Sequence, residues 1–148
     1  MKQRLFIFMI LILFLTTSCT TNPKDEIVDE NAENIVTVAG ESDIILERSE
    51  IISDSVVELF GIDDATAIIF NDSVLIGVKT AYNQELSNDI KELIESTVLN
   101  IDSEISEVLI TSKDKIFNEI DNLILELLQG KSYDDLVDNI SKVKGKFN

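Results

Sequence analysis

Ala65-Thr66-Ala67-Ile68-Ile69-Phe70-Asn71-Asp72-Ser73-Val74-Leu75-Ile76-Gly77-Val78 is the stretch on which the fold turns. Two short apolar runs rich in β-branched residues flank three turn formers, the pattern of a β-hairpin. Asn71 and Asp72 tolerate the left-handed backbone that a tight turn demands. In the second run Val74, Ile76 and Val78 alternate onto one face, and the strand continues to Thr80. Gly77 inside a strand marks a bulge, a close approach by another backbone, or a place where a crossing helix needs room. The last of the three asks least of the chain.

Helical patterns surround the hairpin. Ile45, Ile52, Val56 and Leu59 share one helical face, flanked by Ile44, Ile51 and Phe60, and Gly61 is placed to stop that helix. After the hairpin, Leu86, Ile90, Leu93, Ile94 and Ile101 mark a second amphipathic helix, from Ser87 as N-cap to about Leu99. Ile105 to Thr111 reads as a third strand. Ile116, Ile120, Leu123, Ile124 and Leu127 mark a third helix, ended by Gly130. Ser132 and Asp135 open a fourth in the manner of a capping box; it carries Tyr133, Leu136, Val137, Ile140 and Val143. The charged tail from Lys144 is expected to fray.

The predicted order is α-β-β-α-β-α-α, a single α+β domain over residues 42–148. Its expected form is a small three-stranded sheet with helices packed on one face. The second and third strands are joined through a helix, and the expected strand order is 2-1-3.

The N-terminal part reads differently. Lys2 and Arg4 precede an uncharged apolar run, Leu5 to Leu15, and then Thr16, Thr17, Ser18 and Cys19. A basic n-region, an apolar h-region and a small-residue cleavage site make a signal peptide over residues 1–18. The run is far shorter than the roughly 20 apolar residues of a spanning helix. Cys19, the chain's one cysteine, directly follows the cleavage site, where its thiolate can accept a diacylglycerol. Cys19 is therefore the expected lipid-attachment residue. Thr16 stands three residues before it, where such sites usually carry Leu, and Leu15 lies one further back. A plain secretory signal with a chance cysteine is the alternative. Residues 19–41 hold Pro23 and the acids Asp25, Glu26, Asp29, Glu30 and Glu33. Ile35, Val36 and Val38 are too few for a core element, so this stretch is expected to be an acidic, flexible tether.

Composition removes several classes of function. The formal net charge is −16, and a protein so acidic lacks the Lys and Arg that neutralise nucleic-acid phosphates. Losing Lys2 and Arg4 with the signal would leave 10 basic against 28 acidic residues, a charge of −18. There is no His, and the one Cys is already assigned. Zinc, haem and iron–sulfur centres lack their usual ligands, and Ser–His or Cys–His nucleophilic catalysis lacks its base. No window has EF-hand spacing. The expectation is no cofactor and no specific metal.

Paired carboxylates remain as candidate chemistry. Asp63/Asp64 and Asp134/Asp135 could in principle work as the acid and base of a glycan-cleaving cell-wall hydrolase, or of an accessory to one. With 28 acidic residues, adjacent pairs arise by chance. Asp63/Asp64 fit the turn between the first helix and the hairpin. Asp134/Asp135 fit a helix first turn, where the dipole favours them. The leading expectation is a non-enzymatic protein.

Three short stretches resemble a known family. Gly61-Ile62-Asp63-Asp64-Ala65 resembles the turn that ends the first helix of the YhcN/YlaJ-type sporulation lipoproteins. Leu75-Ile76-Gly77-Val78 is similar to that family's second hairpin strand, with Leu75 in place of an aromatic residue. Val108-Leu109-Ile110-Thr111, followed by Asp114, resembles its third strand and the start of the next helix. Asn118 and Glu119 stand where the family usually has basic residues. Hairpins of this kind also occur in BON-like domains, which attach to membranes or other envelope components.

The resemblance implies an extracytoplasmic protein of a spore-forming bacterium, lipid-anchored through Cys19 to the cell membrane or inner spore membrane. It implies a role in spore assembly, germination or outgrowth, an envelope or spore protein as partner, and no known catalytic residue. A BON-like module that binds membrane or sacculus is a further alternative.

Overall fold

The computed structural model describes residues 40–147. Its elements are α1 (Glu41–Val57), β1 (Ile62–Phe70), β2 (Ser73–Thr80), α2 (Asn88–Ile101), β3 (Glu107–Thr111), α3 (Asp114–Leu128) and α4 (Tyr133–Lys144). This is the α-β-β-α-β-α-α order of an α+β domain. Cys19, the signal peptide and nearly all of the expected tether lie outside the described residues.

β1 and β2 form the hairpin, antiparallel, with Phe70 opposite Ser73 and Ile62 opposite Thr80. Asn71 takes the left-handed backbone at φ 57°, as its place in the turn requires. A bulge lies between Ile62 and Asp64.

The strand order is β1-β2-β3, not 2-1-3. β2 is central, antiparallel to β1 and parallel to β3, from Ser73 opposite Glu107 to Gly77 opposite Thr111. Two physical causes place β3 there. Parallel neighbours need a long crossover, and α2 is that crossover. The hairpin turn also holds the start of β3: the N–H groups of Ser106 and Glu107 both donate to the Asp72 carbonyl, at 2.8 and 3.3 Å.

The helices cover both faces of the sheet, where one face was expected. Every residue from Ser73 to Val78 is buried, and successive side chains point to opposite faces. On the face of Ser73, Leu75 and Gly77 lie α3, through Phe117 against Gly77, and α4, through Lys144. Lys144 donates to the Ser73 hydroxyl at 2.7 Å and to the Glu107 carboxylate at 2.6 Å. On the other face Val74, Ile76 and Val78 are equally inaccessible, under α1 and α2, whose own Ile52, Val56, Ile94 and Val98 are fully buried. A fully buried aliphatic side chain contributes about 1.5–3 kcal/mol, against about 0–1 kcal/mol for an exposed ion pair. The two-sided core, rather than the surface charge pairs, therefore sets the stability.

Local signals end the helices as the sequence predicts. Ser87 and Ser132 accept from the Ile90 and Asp135 N–H groups, each at 3.3 Å. After α3, Gly130 sits at φ 89°, with its N–H on the Leu127 carbonyl and that of Lys131 on the Glu126 carbonyl. That is a Schellman end, which favours glycine at this position. The C-terminal tail departs from expectation. Phe147 is half-buried against the core and Lys146 pairs with Glu119 at 2.6 Å, so the chain is held to residue 147 instead of fraying from Lys144.

Candidate functional site

The end of the sheet where β1 starts and β2 stops carries two exposed aromatic rings. The pairing of Ile62 with Thr80 brings the α1–β1 and β2–α2 connections side by side. The Ala81 N–H donates to the Gly61 carbonyl at 2.9 Å and joins them. Gly61 turns the chain at φ 92° directly after Phe60. On the other connection the Gln84 N–H donates to the Ala81 carbonyl and the Thr80 hydroxyl to the Gln84 carbonyl, both at 2.9 Å. Tyr82 thus stands on a closed turn, with Asn83 left-handed at φ 64°. Phe60 is 86% exposed and Tyr82 is 91% exposed.

The two rings are the most exposed large apolar side chains among the described residues, and exposed apolar groups that cluster mark contact surfaces. The surroundings are acidic: Glu58, Asp63 and Glu85 are all exposed. Beside the rings a polar crevice of about 520 Å³ opens outside the carboxyl ends of the parallel strands β2 and β3. Thr80, Gln84, Glu85, Ser112 and Asp114 line it. Its lysine, Lys79, is engaged: its ammonium pairs with Asp64 at 2.6 Å and lies 4.0 Å from the centre of the Phe117 ring.

The candidate carboxylate pairs are not brought together. Asp64 is taken by Lys79, and Asp63 is exposed at the start of β1. Asp134 and Asp135 sit in the first turn of α4, where Asp135 accepts from the Ser132 hydroxyl at 2.7 Å. Among the described residues no three acidic side chains are grouped to hold a metal ion.

A second charged cluster is structural in character. The Arg48 guanidinium of α1 donates to Asp102 at 2.8 Å and reaches Glu104 at 2.9 Å, tying α1 to the end of α2. Burial pushes the Asp102 carboxyl up, but hydrogen bonds from Arg48 and from the Glu104 N–H, with the guanidinium charge, hold it below the usual carboxylate range. The Glu107 carboxyl is likewise held low, by Lys144 and then by the Ser73 hydroxyl.

Sequence reasoning placed Phe60 at the flank of the core and passed over Tyr82. The available signal was position. Phe60 comes after the last helical residue and directly before a turn glycine, where no periodic face can bury it. Tyr82 lies between the end of a strand and an Asn.

Fold and surface together define a small α+β domain, a three-stranded mixed sheet between two helix pairs, with two exposed aromatic residues at one end. Among the described residues no helix is long and apolar enough to cross a membrane. The chain belongs to the sporulation lipoprotein family YhcN/YlaJ, whose family model matches residues 17–147. The match starts just before Cys19 and runs through the whole of the described domain. No curated protein matches the chain. Family membership makes it a lipoprotein of sporulation, a membrane-associated protein of the envelope.

Proposed function

We propose that this protein is a non-enzymatic, lipid-anchored envelope protein of a spore-forming bacterium. It acts in spore assembly, germination or outgrowth by binding a protein partner through the Phe60–Tyr82 end. Cys19 carries the lipid and holds the domain on the outer face of the cell membrane or inner spore membrane. The observation that carries the contact is the exposure of Phe60 and Tyr82 on two connections locked to each other. Rigid aromatic anchors lose little conformational entropy on binding and dominate interface energies. The acidic rim of Glu58, Asp63 and Glu85 fits a partner with a cationic surface, and like charges exclude wrong partners. Gly40, which leads to Cys19, lies at the opposite end of α1. A helix of 17 residues spans about 25 Å, which separates the two ends of α1 within the domain.

The test is made in a sporulating host. A photo-crosslinking residue at position 82 is compared with one at Glu95, exposed on α2, and the intact mass of the membrane-fraction protein is measured. A diacylglycerol-sized mass increment lost in Cys19→Ala, with one defined protein captured from position 82 and not from 95, is the expected result. An unmodified chain in the soluble fraction, or equal capture at both positions, would overturn the reading.

A further inference from the structure

β3 is the open edge of the sheet. Phe70 and Ser73 close the two-residue turn as a hydrogen-bonded pair, so Ser73, Leu75 and Gly77 bond to β1, and Val74, Ile76 and Val78 turn their N–H and C=O groups to β3. The parallel register sets Val74 beside Val108 and Ile76 beside Ile110. In a parallel ladder the slanted bonds go to the residues on either side of each neighbour, here Glu107, Leu109 and Thr111. Val108 and Ile110 therefore direct their own N–H and C=O groups outward. Among the described residues no backbone bond reaches them there.

The two edges of the sheet differ. On β1, Ala67, Ile68 and Ile69 are fully covered, whereas Val108, Leu109 and Ile110 on β3 are each only partly buried. β3 carries no proline and no bulge, two usual means of blunting an edge. A groove of about 280 Å³ opens beside it, lined by Ile110 and Thr111 of the strand, by Lys91 of α2 and by Phe147 after α4. α2 and α4 lie on opposite faces of the sheet, so the groove opens at the edge itself, where the next strand of a sheet would lie.

We propose that the β3 edge pairs with β3 of a second copy of this chain, antiparallel about a two-fold axis at Leu109, joining two three-stranded sheets into one. The strand is self-complementary in that register. Val108 faces Ile110 of the other copy as a hydrogen-bonded pair, and the reverse, so each outward N–H and C=O of both residues finds a partner. Leu109 faces Leu109 at the axis, and Glu107 faces Thr111, so apolar residues meet and no like charges stand opposite. The ends match as well. Exposed Glu104 and Glu107 stand at the start of β3. Lys91 and Lys113 stand at its end and enter no salt bridge among the described residues. Antiparallel pairing brings the acidic start of one strand beside the basic end of the other. A strand pair of five residues buries little area, but copies held on one membrane meet at a high effective concentration. The pairing does not involve Phe60 or Tyr82 and stands apart from the contact proposed there.

The test oxidises the lipidated full chain in lipid vesicles with copper–phenanthroline, with one cysteine added at a time. Leu109→Cys is expected to give a disulfide-linked dimer, since residues opposite each other in an antiparallel pair stand at disulfide distance. Glu95→Cys, exposed on α2, and the natural chain, which reports on Cys19, are expected to stay at background. Ser106 and Ser112 face each other in this register and are both exposed. Ser106→Cys mixed with Ser112→Cys is expected to crosslink at least five-fold more than either alone. Adding Leu109→Lys to that mixture sets like charges at the axis and is expected to cut the crosslink at least tenfold with unchanged circular dichroism. Lys91→Gln with Lys113→Gln is expected to weaken it several-fold, and Lys131→Gln with Lys142→Gln, equal in net charge, to leave it unchanged. A mixed pair that crosslinks no better than its parts would overturn the proposal whatever Leu109→Cys does, and would leave the edge to a strand of another protein. Equal crosslinking at positions 109 and 95 would overturn it too.

Discussion

A Cβ built on Gly77 would stand 2.8 Å from the Cα of Phe117 and within 3.2 Å of its Cβ. The central strand and α3 therefore touch backbone to backbone, and the glycine is where α3 crosses the sheet. The nearest atom is main chain, so no rotamer change relieves the contact. Gly77→Ala is expected to destabilise the domain by about 1–3 kcal/mol through overpacking. The gain in strand propensity is smaller than that. Chemical denaturation should show a lower midpoint with an unchanged slope. Adding Phe117→Ala should not restore stability, because the Cα and Cβ of residue 117 remain.

Gly130 offers the opposite case. A Cβ there meets nothing within 4 Å, yet the backbone is left-handed at φ 89°. Gly130→Ala should cost about 1–2 kcal/mol from backbone conformation alone. Gly130→Asn should cost less, since Asn tolerates this region. A thermal melt of the three proteins checks the order: glycine highest, then Asn, then Ala.

Much of the fold could be read because its signals are local. The turn at Asn71, the caps at Ser87 and Ser132, and the stop at Gly130 depend on a few neighbouring residues, and each acts as its chemistry predicts; Gly61 instead turns the chain into β1, because α1 already ends at Val57. The place of Gly77 was legible from the residue type, since a glycine inside a strand marks a bulge, a close approach or a crossing element. Strand order was not, because it depends on which strand receives β3, a non-local choice. A clue was present in the unbroken apolar run from Val74 to Val78, which marks a strand buried on both faces and paired on both edges. The alternation of Val74, Ile76 and Val78, taken alone, matches a strand with one buried face and hence helices on one side. The tail's lysines match a solvated end, whereas Phe147 among them is partly buried by the core and holds the tail down. Phe60 and Tyr82 stayed hidden because an exposed aromatic residue leaves no periodicity.

The Arg48–Asp102 contact should make stability depend on acid. Asp102 is held below the usual carboxylate range in the folded chain, so the unfolded chain binds its proton first as the pH falls. Its contribution is full above an ordinary aspartate pKa of about 3.9 and is lost as pH drops through the lower folded value. Asp102→Asn should cost about 1.5–3 kcal/mol at pH 7, as for a hydrogen bond to a charged group. The difference between the two proteins should hold from pH 7 to pH 5 and shrink below about pH 4. Glu104, 77% exposed in the same cluster, should behave otherwise: Glu104→Gln is expected to change stability by less than about 1 kcal/mol. Urea titrations at stepped pH values give both comparisons.

Phe60 and Tyr82 should separate function from stability. Neither ring is packed in the core, and the bonds that lock their connections run through the backbone of Gly61, Ala81 and Gln84 and the Thr80 hydroxyl. Phe60→Ser with Tyr82→Ser leaves all of those atoms in place, so the unfolding midpoint should move by no more than about 0.5 kcal/mol equivalent. Solubility should rise, since two apolar rings leave the surface. If the rings anchor a partner, the double variant should still reach the membrane fraction yet lose the crosslink made at the neighbouring Asn83. Truncating an anchor of this type removes about 2 kcal/mol or more of binding, at least a tenfold loss. Glu58→Lys with Glu85→Lys should weaken capture by a cationic partner in low salt and matter less in high salt, because rim charges are screened. A double variant that folds, localises and crosslinks as well as the natural chain would mean that the aromatic end is not the contact surface.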